Sequence, residues 1–171
     1  MFMRANRPAR TRVRSSGLLL PAWFGPSSSL RTAFHRLRGV DISDGVEIGY
    51  FVIIDHLYPE RVHIGRKATI AARSTILAHD ESQRYARGGV DVVRDTRIGD
   101  FAFIGVHSVV LAGVTIGSRA IIGAGSVVTR DVAPEAVVAG VPARPIHNGS
   151  AGRISTKGDL ALSGLIANKE D

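Results

Sequence analysis

Six histidines and no cysteine bound the acid–base chemistry open to this chain. Without a thiol there is no disulfide, no thiolate zinc or iron–sulfur site and no cysteine nucleophile. Imidazole, with an ordinary pKa near 6.5, can take up or release a proton at neutral pH. Two histidines adjoin an aspartate: His56 follows Asp55, and His79 precedes Asp80. His79 also opens a polar, glycine-ended stretch, His79-Asp80-Glu81-Ser82-Gln83-Arg84-Tyr85-Ala86-Arg87-Gly88-Gly89. Loops of this kind on a rigid scaffold are where binding and chemistry concentrate. A lone histidine beside a loop is more commonly solvated or structural, so the elements around it have to decide its role.

Those elements repeat. Isoleucine or valine recurs every sixth residue at Ile42, Ile48 and Ile54, at Ile64, Ile70 and Ile76, and at Val92, Ile98, Ile104, Val110, Ile116, Ile122 and Val128. Glycine often follows the aliphatic residue (Gly49, Gly65, Gly99, Gly105, Gly117, Gly123), and the fourth position after it is small (Ala68, Ser74, Thr96, Ala102, Ser108, Ala120, Ser126). Six residues of α-helix turn through about 600°, which would move the aliphatic off its stripe, and hairpin strands need no such sextet. A short strand and a turn in every hexapeptide fit both slots. Three such strands close a triangular prism whose rungs pair at about 4.8 Å, with Ile and Val stacked inside and glycine meeting the backbone demands of the turns. Two phase breaks interrupt the pattern: a small insertion between Ile54 and Ile64, and a longer one between Ile76 and Val92 that makes a loop excursion near residues 79–91. If the first only enlarges a turn, Ile54 and Ile76 occupy the third faces of consecutive coils. His56 then lies one rung from Ala78, beside His79.

The repeat resembles the hexapeptide-repeat proteins, whose fold is a single-stranded left-handed parallel β-helix, and the handedness is implied by that resemblance alone. The tandem Gly123-Ala124-Gly125-Ser126-Val127-Val128-Thr129-Arg130-Asp131 and Gly140-Val141-Pro142-Ala143-Arg144 resembles, more narrowly, the acyl-CoA-dependent sugar and polysaccharide O-acetyltransferases of the galactoside and maltose type. The likeness covers residues 42–147, about three-fifths of the chain. It implies an all-β acyltransferase that uses no metal and moves acetyl from acetyl-CoA to a hydroxyl of a small-molecule or saccharide acceptor. It implies a homotrimer with coenzyme A in a groove between subunits. In that family the histidine opening the long loop is the general base, here His79. For the donor it points to Phe103 against the pantetheine arm, Ala124 offering backbone contacts, Thr129 and Arg130 near the adenosine end, and Arg144 near a phosphate, where a guanidinium fork is apt. Phe103 stands where the sugar enzymes usually carry Trp. Asp41 with Asp55-His56 also resembles the serine acetyltransferase branch, in which His56 would be the base and Asp41 its partner. With His79 as base, Asp55 and His56 become acceptor-binding or orienting groups. Two other readings are a non-catalytic β-helix scaffold and a relative of the γ-type carbonic anhydrases. The latter needs three convergent histidines with one pair five apart, and Arg84 stands five after His79.

The 22 Lys and Arg against 15 Asp and Glu give a formal charge of +7. Eight of those arginines (Arg4, Arg7, Arg10, Arg12, Arg14, Arg31, Arg36, Arg38) lie in the first 40 residues, which contain no acid. The remaining residues carry 14 − 15 = −1, so nucleic acid is not an expected partner. Residues 1–40 are read as a basic, solvated arm, 41–147 as the catalytic β-helix and 148–171 as a tail. The apolar run Leu18-Leu19-Leu20 is broken by Pro21 and is too short for a span of about 20 residues or for a signal peptide, so a cytoplasmic protein without a membrane span is expected.

Overall fold

A computed structural model describes residues 17–146. Three parallel sheets form the faces of a prism. The first face stacks Asp41–Ile42, Val62–Ile64, Thr96–Ile98 and Thr115–Ile116. The second stacks Glu47–Ile48, Thr69–Ile70, Phe103–Ile104, Ile121–Ile122 and Val137–Gly140, and ends in antiparallel Ala143–Pro145. The third stacks Ile53–Ile54, Thr75–Ile76, Val109–Val110 and Val127–Val128. Aliphatic residues pair with aliphatic residues on every rung, as Ile48 with Ile70 and Ile104 with Ile122. Twelve of the thirteen sextet positions are 0–8 % exposed, each burial contributing roughly 1.5–3 kcal/mol. The small slots are buried too, and the hydroxyls among them reach carbonyls: Ser74 donates to Gly105 O at 2.8 Å and Ser126 to Gly123 O at 2.6 Å.

The exception is Val92, which is only partly buried and lies outside the column. Between Ala78 and Thr96 the chain leaves the prism as a hairpin, His79–Asp80 antiparallel to Val92–Val93, around a short helix, Ser82–Arg87. The loop excursion therefore continues through Val93. A second departure concerns glycine. The glycine after each aliphatic residue does not take the left-handed turn position. Phe51, Lys67, Arg73, Phe101, His107 and Arg119 do, with φ between 52° and 61°. The glycines answer a different need: a Cβ on Gly99 would stand 2.5 Å from the backbone N of Ser118 in the next coil. Close approach of coils selects glycine there.

The largest difference from the sequence reading is at the N-terminal end. Residues 19–37 are not a solvated arm; they form helices α1 (Leu19–Phe24) and α2 (Ser28–Leu37), the latter capped by Ser27, whose hydroxyl accepts from Leu30 N at 3.2 Å. Helix α2 turns polar residues inward: Arg31, Thr32 and His35 are buried, while Leu30 and Leu37 are exposed. The coil end explains this inversion. Backbone N–H groups of each coil donate to carbonyls of the next, as Ser43 N to Ile64 O, Gly49 N to Ile70 O and Asp55 N to Ile76 O. Carbonyls thus face the N-terminal end, and those of Ile42, Ile48 and Ile54 have no preceding coil. Arginines replace it on all three faces. Arg36 Nε donates to Ile42 O at 3.0 Å, Arg31 Nε to Ile48 O at 2.9 Å, and Arg38 to Ile54 O at 3.1 Å. An open sheet end is a template for unwanted pairing, and buried carbonyls cost free energy when unpaired; the three guanidinium groups remove both problems. Residues 1–16 and 147–171, including the other five N-terminal arginines and the tail, lie outside the described residues.

His35 within this plug gives a stability prediction. Burial, then the neighbouring Arg38 charge, lowers its pKa from 6.5 to about 3. Its Nδ1 accepts from Arg38 at 2.9 Å. The unfolded chain binds the proton first, so this contribution is complete above pH 6.5 and is lost as pH falls toward 3. One such proton changes stability by about 1.4 kcal/mol per pH unit. Urea unfolding at pH 7 and pH 5 should therefore differ by about 2 kcal/mol more in the wild type than in His35→Gln, which keeps an acceptor but cannot titrate. Equal losses in the two proteins would refute the assignment.

Candidate active site

The insertion after Ile54 and the hairpin after Ile76 leave the prism at the same edge, between the third face and the first. This is the edge on which the register places His56 beside His79, and the two rings lie 5.9 Å apart between centroids, edge to face. Asp55 joins them. It is fully buried as a side chain, and Oδ2 accepts from His79 Nδ1 at 2.5 Å. Three backbone groups complete the cage: Leu57 N and Tyr58 N donate to Oδ1 at 2.9 and 2.8 Å, and Ala78 N donates to Oδ2 at 2.8 Å. Burial by itself raises the Asp55 pKa, but the hydrogen bonds from His79, Tyr58 and Ala78 outweigh it and hold the carboxyl below its ordinary 3.8. The group is an anion at neutral pH.

With Nδ1 engaged by a carboxylate, Nδ1 carries the proton and Nε2 is the ring nitrogen left to accept one. The His79 side chain is 11 % exposed, close-packed but open to the surface. Tyr58 lies against it, 5.6 Å between ring centroids. Beside His79 runs a cleft of about 550 Å³, whose walls include Leu77, Asp80, Gln83, Arg94, Leu111 and Thr129. The hairpin forms one wall and successive turns of the coil form the other.

Asp41 is elsewhere. Its Oδ2 bonds His63 Nδ1 at 2.9 Å on the first face, so it is not the partner of His56. The rung pairing Asp41 with His63 fixes it on the first face. Among the described residues no three His, Cys, Asp or Glu side chains converge as metal ligands.

Comparison with known proteins bears on this geometry. The family described as "Bacterial transferase hexapeptide (six repeats)" matches residues 95–130. A Bacillus subtilis (strain 168) protein named "Putative acetyltransferase YvoF" is 31 % identical over 125 residues, covering 73 % of this chain and 68 % of that one. The chain belongs to the hexapeptide-repeat acetyltransferase family. Galactoside O-acetyltransferase of Escherichia coli (strain K12) is 40 % identical over 88 residues, half of this chain and 43 % of that enzyme. The chain thus spans less than half of that relative. A structure of galactoside acetyltransferase in complex with coenzyme A superposes with a TM-score of 0.59 at 25 % identity, covering 81 % of this chain and 80 % of the other.

In this acetyltransferase the residues expected to hold the donor fall into two groups. Thr129 lines the His79 cleft, and exposed Arg130 follows it on the same edge. Phe103, 37 % exposed, is on the second face. Ala124 is at the turn from the second face to the third, stacked on Gly105. Arg144 is exposed in the closing hairpin of the second face. Within one chain these residues do not converge. Tyr58 and Arg94 were not among the expected site residues. The Asp55-x-x-Tyr58 spacing, with a proline following, is the turn signal that could have found the first. Arg94 sits inside the longer phase break, where the sextet pattern gives no register. No helix among the described residues is long and apolar enough to cross a membrane.

Proposed function

We propose that this protein transfers acetyl from acetyl-CoA to a hydroxyl group of a sugar or polysaccharide precursor, with His79 as general base. The carrying observation is the hydrogen bond from His79 Nδ1 to buried Asp55 at the mouth of a cleft. Asp55 fixes the ring and its tautomer, so that Nε2 takes the acceptor's proton as its oxygen attacks the thioester carbonyl. Collapse of the tetrahedral intermediate expels the coenzyme A thiolate, which takes the proton back from the His79 imidazolium to leave as free thiol and regenerate the base, and no acyl-enzyme is needed. Asp55 also stabilises the imidazolium as it forms. His56 and Tyr58, flanking His79, supply an edge and a ring face on which a saccharide can rest.

The galactoside acetyltransferase structure contains coenzyme A, and the division of the donor residues supports a shared groove. Thr129 and Arg130 of one subunit would face Phe103, Ala124 and Arg144 of a neighbour in a homotrimer. Incubation with acetyl-CoA and a panel of sugars, followed by release of free thiol, tests the reading. Thiol release that depends on a saccharide hydroxyl is expected; acetyl-CoA left intact with every acceptor would favour a scaffold role. Dilution to monomers should abolish turnover.

A further inference from the structure

We infer that Arg38 is a positioning residue for the Asp55–His79 pair, acting from the C-cap of helix α2 through the backbone of Asp55. This rests on the proposal that the pair supplies the reaction's base. Arg38 is 4 % exposed, and one terminal nitrogen donates to two consecutive carbonyls, Ile54 O at 3.1 Å and Asp55 O at 3.0 Å. The other donates to His35 Nδ1 at 2.9 Å.

Asp55 lies in the first coil. Its N–H is fixed by Ile76 O of the second coil at 2.9 Å, but its carbonyl faces the open end, where no coil precedes it. Arg38 holds that side. The peptide after Asp55 begins the tight turn whose N–H groups, at Leu57 and Tyr58, orient Oδ1, while Oδ2 holds His79. Rotation of that peptide would shift the carboxylate and with it the imidazole. Misplacement by about 1 Å, even from a change remote from the chemistry, can cost about 10²-fold in rate.

The molecule contains its own control. Arg31 is equally buried at 5 %, donates to the first-coil carbonyl of Ile48 at 2.9 Å and lies in helix α2, whose C-cap residue is Arg38. It caps the second face, away from Asp55. A purely structural role would make the two arginines equivalent.

The test compares Arg38→Met with Arg31→Met in the full chain by thermal melting, kcat, KM for acetyl-CoA and the downfield His79 Nδ1 proton resonance. Both should lose stability. Arg38→Met alone should lose more than about tenfold in kcat at unchanged KM and shift or broaden the resonance. Combined with Asp55→Asn it should add little, as expected for residues acting on one element. Arg38→Lys, which keeps the cation but not the fork, should recover part of the rate and serves as the reading if Arg38→Met does not fold. Unchanged kcat, a loss equal to that of Arg31→Met, or full additivity with Asp55→Asn would overturn the inference. If instead His79→Ala leaves turnover unchanged, the general-base proposal fails, and the resonance still reports whether Arg38 holds the pair.

Discussion

Replacing His79 by alanine is expected to lower kcat by about 10²–10⁴-fold, the usual contribution of a positioned general base. That corresponds to about 2.7–5.4 kcal/mol of activation free energy. KM for acetyl-CoA should change little, because the lost interaction forms with the acceptor's proton in the transition state. The fold should survive. Asp55 keeps its three backbone donors when the imidazole is removed, so the cost to stability is that of one hydrogen bond to a charged group, about 1.5–3 kcal/mol. His56→Ala is the necessary companion. His56 has an exposed ring in edge contact with His79, while the buried carboxylate engages His79. A small loss at His56 with a large one at His79 supports the assignment. The reverse order would transfer the base to His56, and full activity in both variants would leave the enzyme without an imidazole base.

The prism was legible because its physics repeats. Each coil asks for an aliphatic side chain inside, a small one beside it and no Cβ where the next coil passes, so twelve sextet positions report one environment. Val92 has the right type at the right interval and still lies outside, because the hairpin restarted the count. His79 and His56 could be brought together by register for the same reason: rigid rungs convert sequence distance into spatial distance. The Asp55 cage was less visible. Its donors are backbone N–H groups of Leu57, Tyr58 and Ala78, and backbone geometry leaves little trace in residue type. Helix α2 misled in the opposite direction. Eight arginines without a single acid in residues 1–40 read as solvated charge, and the structure buries Arg31 and Arg38 while Leu30 and Leu37 stay exposed. Its surroundings reverse that logic, because what α2 covers is a ring of unpaired carbonyls that require donors. Buried charge is stable there only as hydrogen-bonded charge.

Asp55→Asn is expected to reduce kcat by a factor similar to His79→Ala, for a different reason. An amide is uncharged and offers one acceptor oxygen where the carboxylate offers two. If the amide nitrogen faces His79, it donates to Nδ1, the proton moves to Nε2, and the ring nitrogen needed to accept the substrate's proton is already protonated. The same orientation opposes the Ala78 N–H with a second donor. If the oxygen faces His79 instead, Leu57 N and Tyr58 N lose their acceptor. Either arrangement leaves a buried donor unsatisfied at a cost of about 1–3 kcal/mol, so a fall in melting temperature accompanies the fall in rate. The two effects separate in the double variant. Asp55→Asn/His79→Ala should be no slower than the slower single variant, because the carboxylate acts through the imidazole. A multiplicative loss would mean that Asp55 contacts the acceptor independently, and wild-type rates in Asp55→Asn would remove the tautomer argument altogether. The charge requirement has a further consequence. Asp55 is held below 3.8 in the folded protein, so its contribution to stability is present above that pH and is lost only as the pH falls through the lower folded value. Acid loss of stability in Asp55→Asn should therefore be shallower than in the wild type below pH 4, while the His35 contribution between about 6.5 and 3 stays in both.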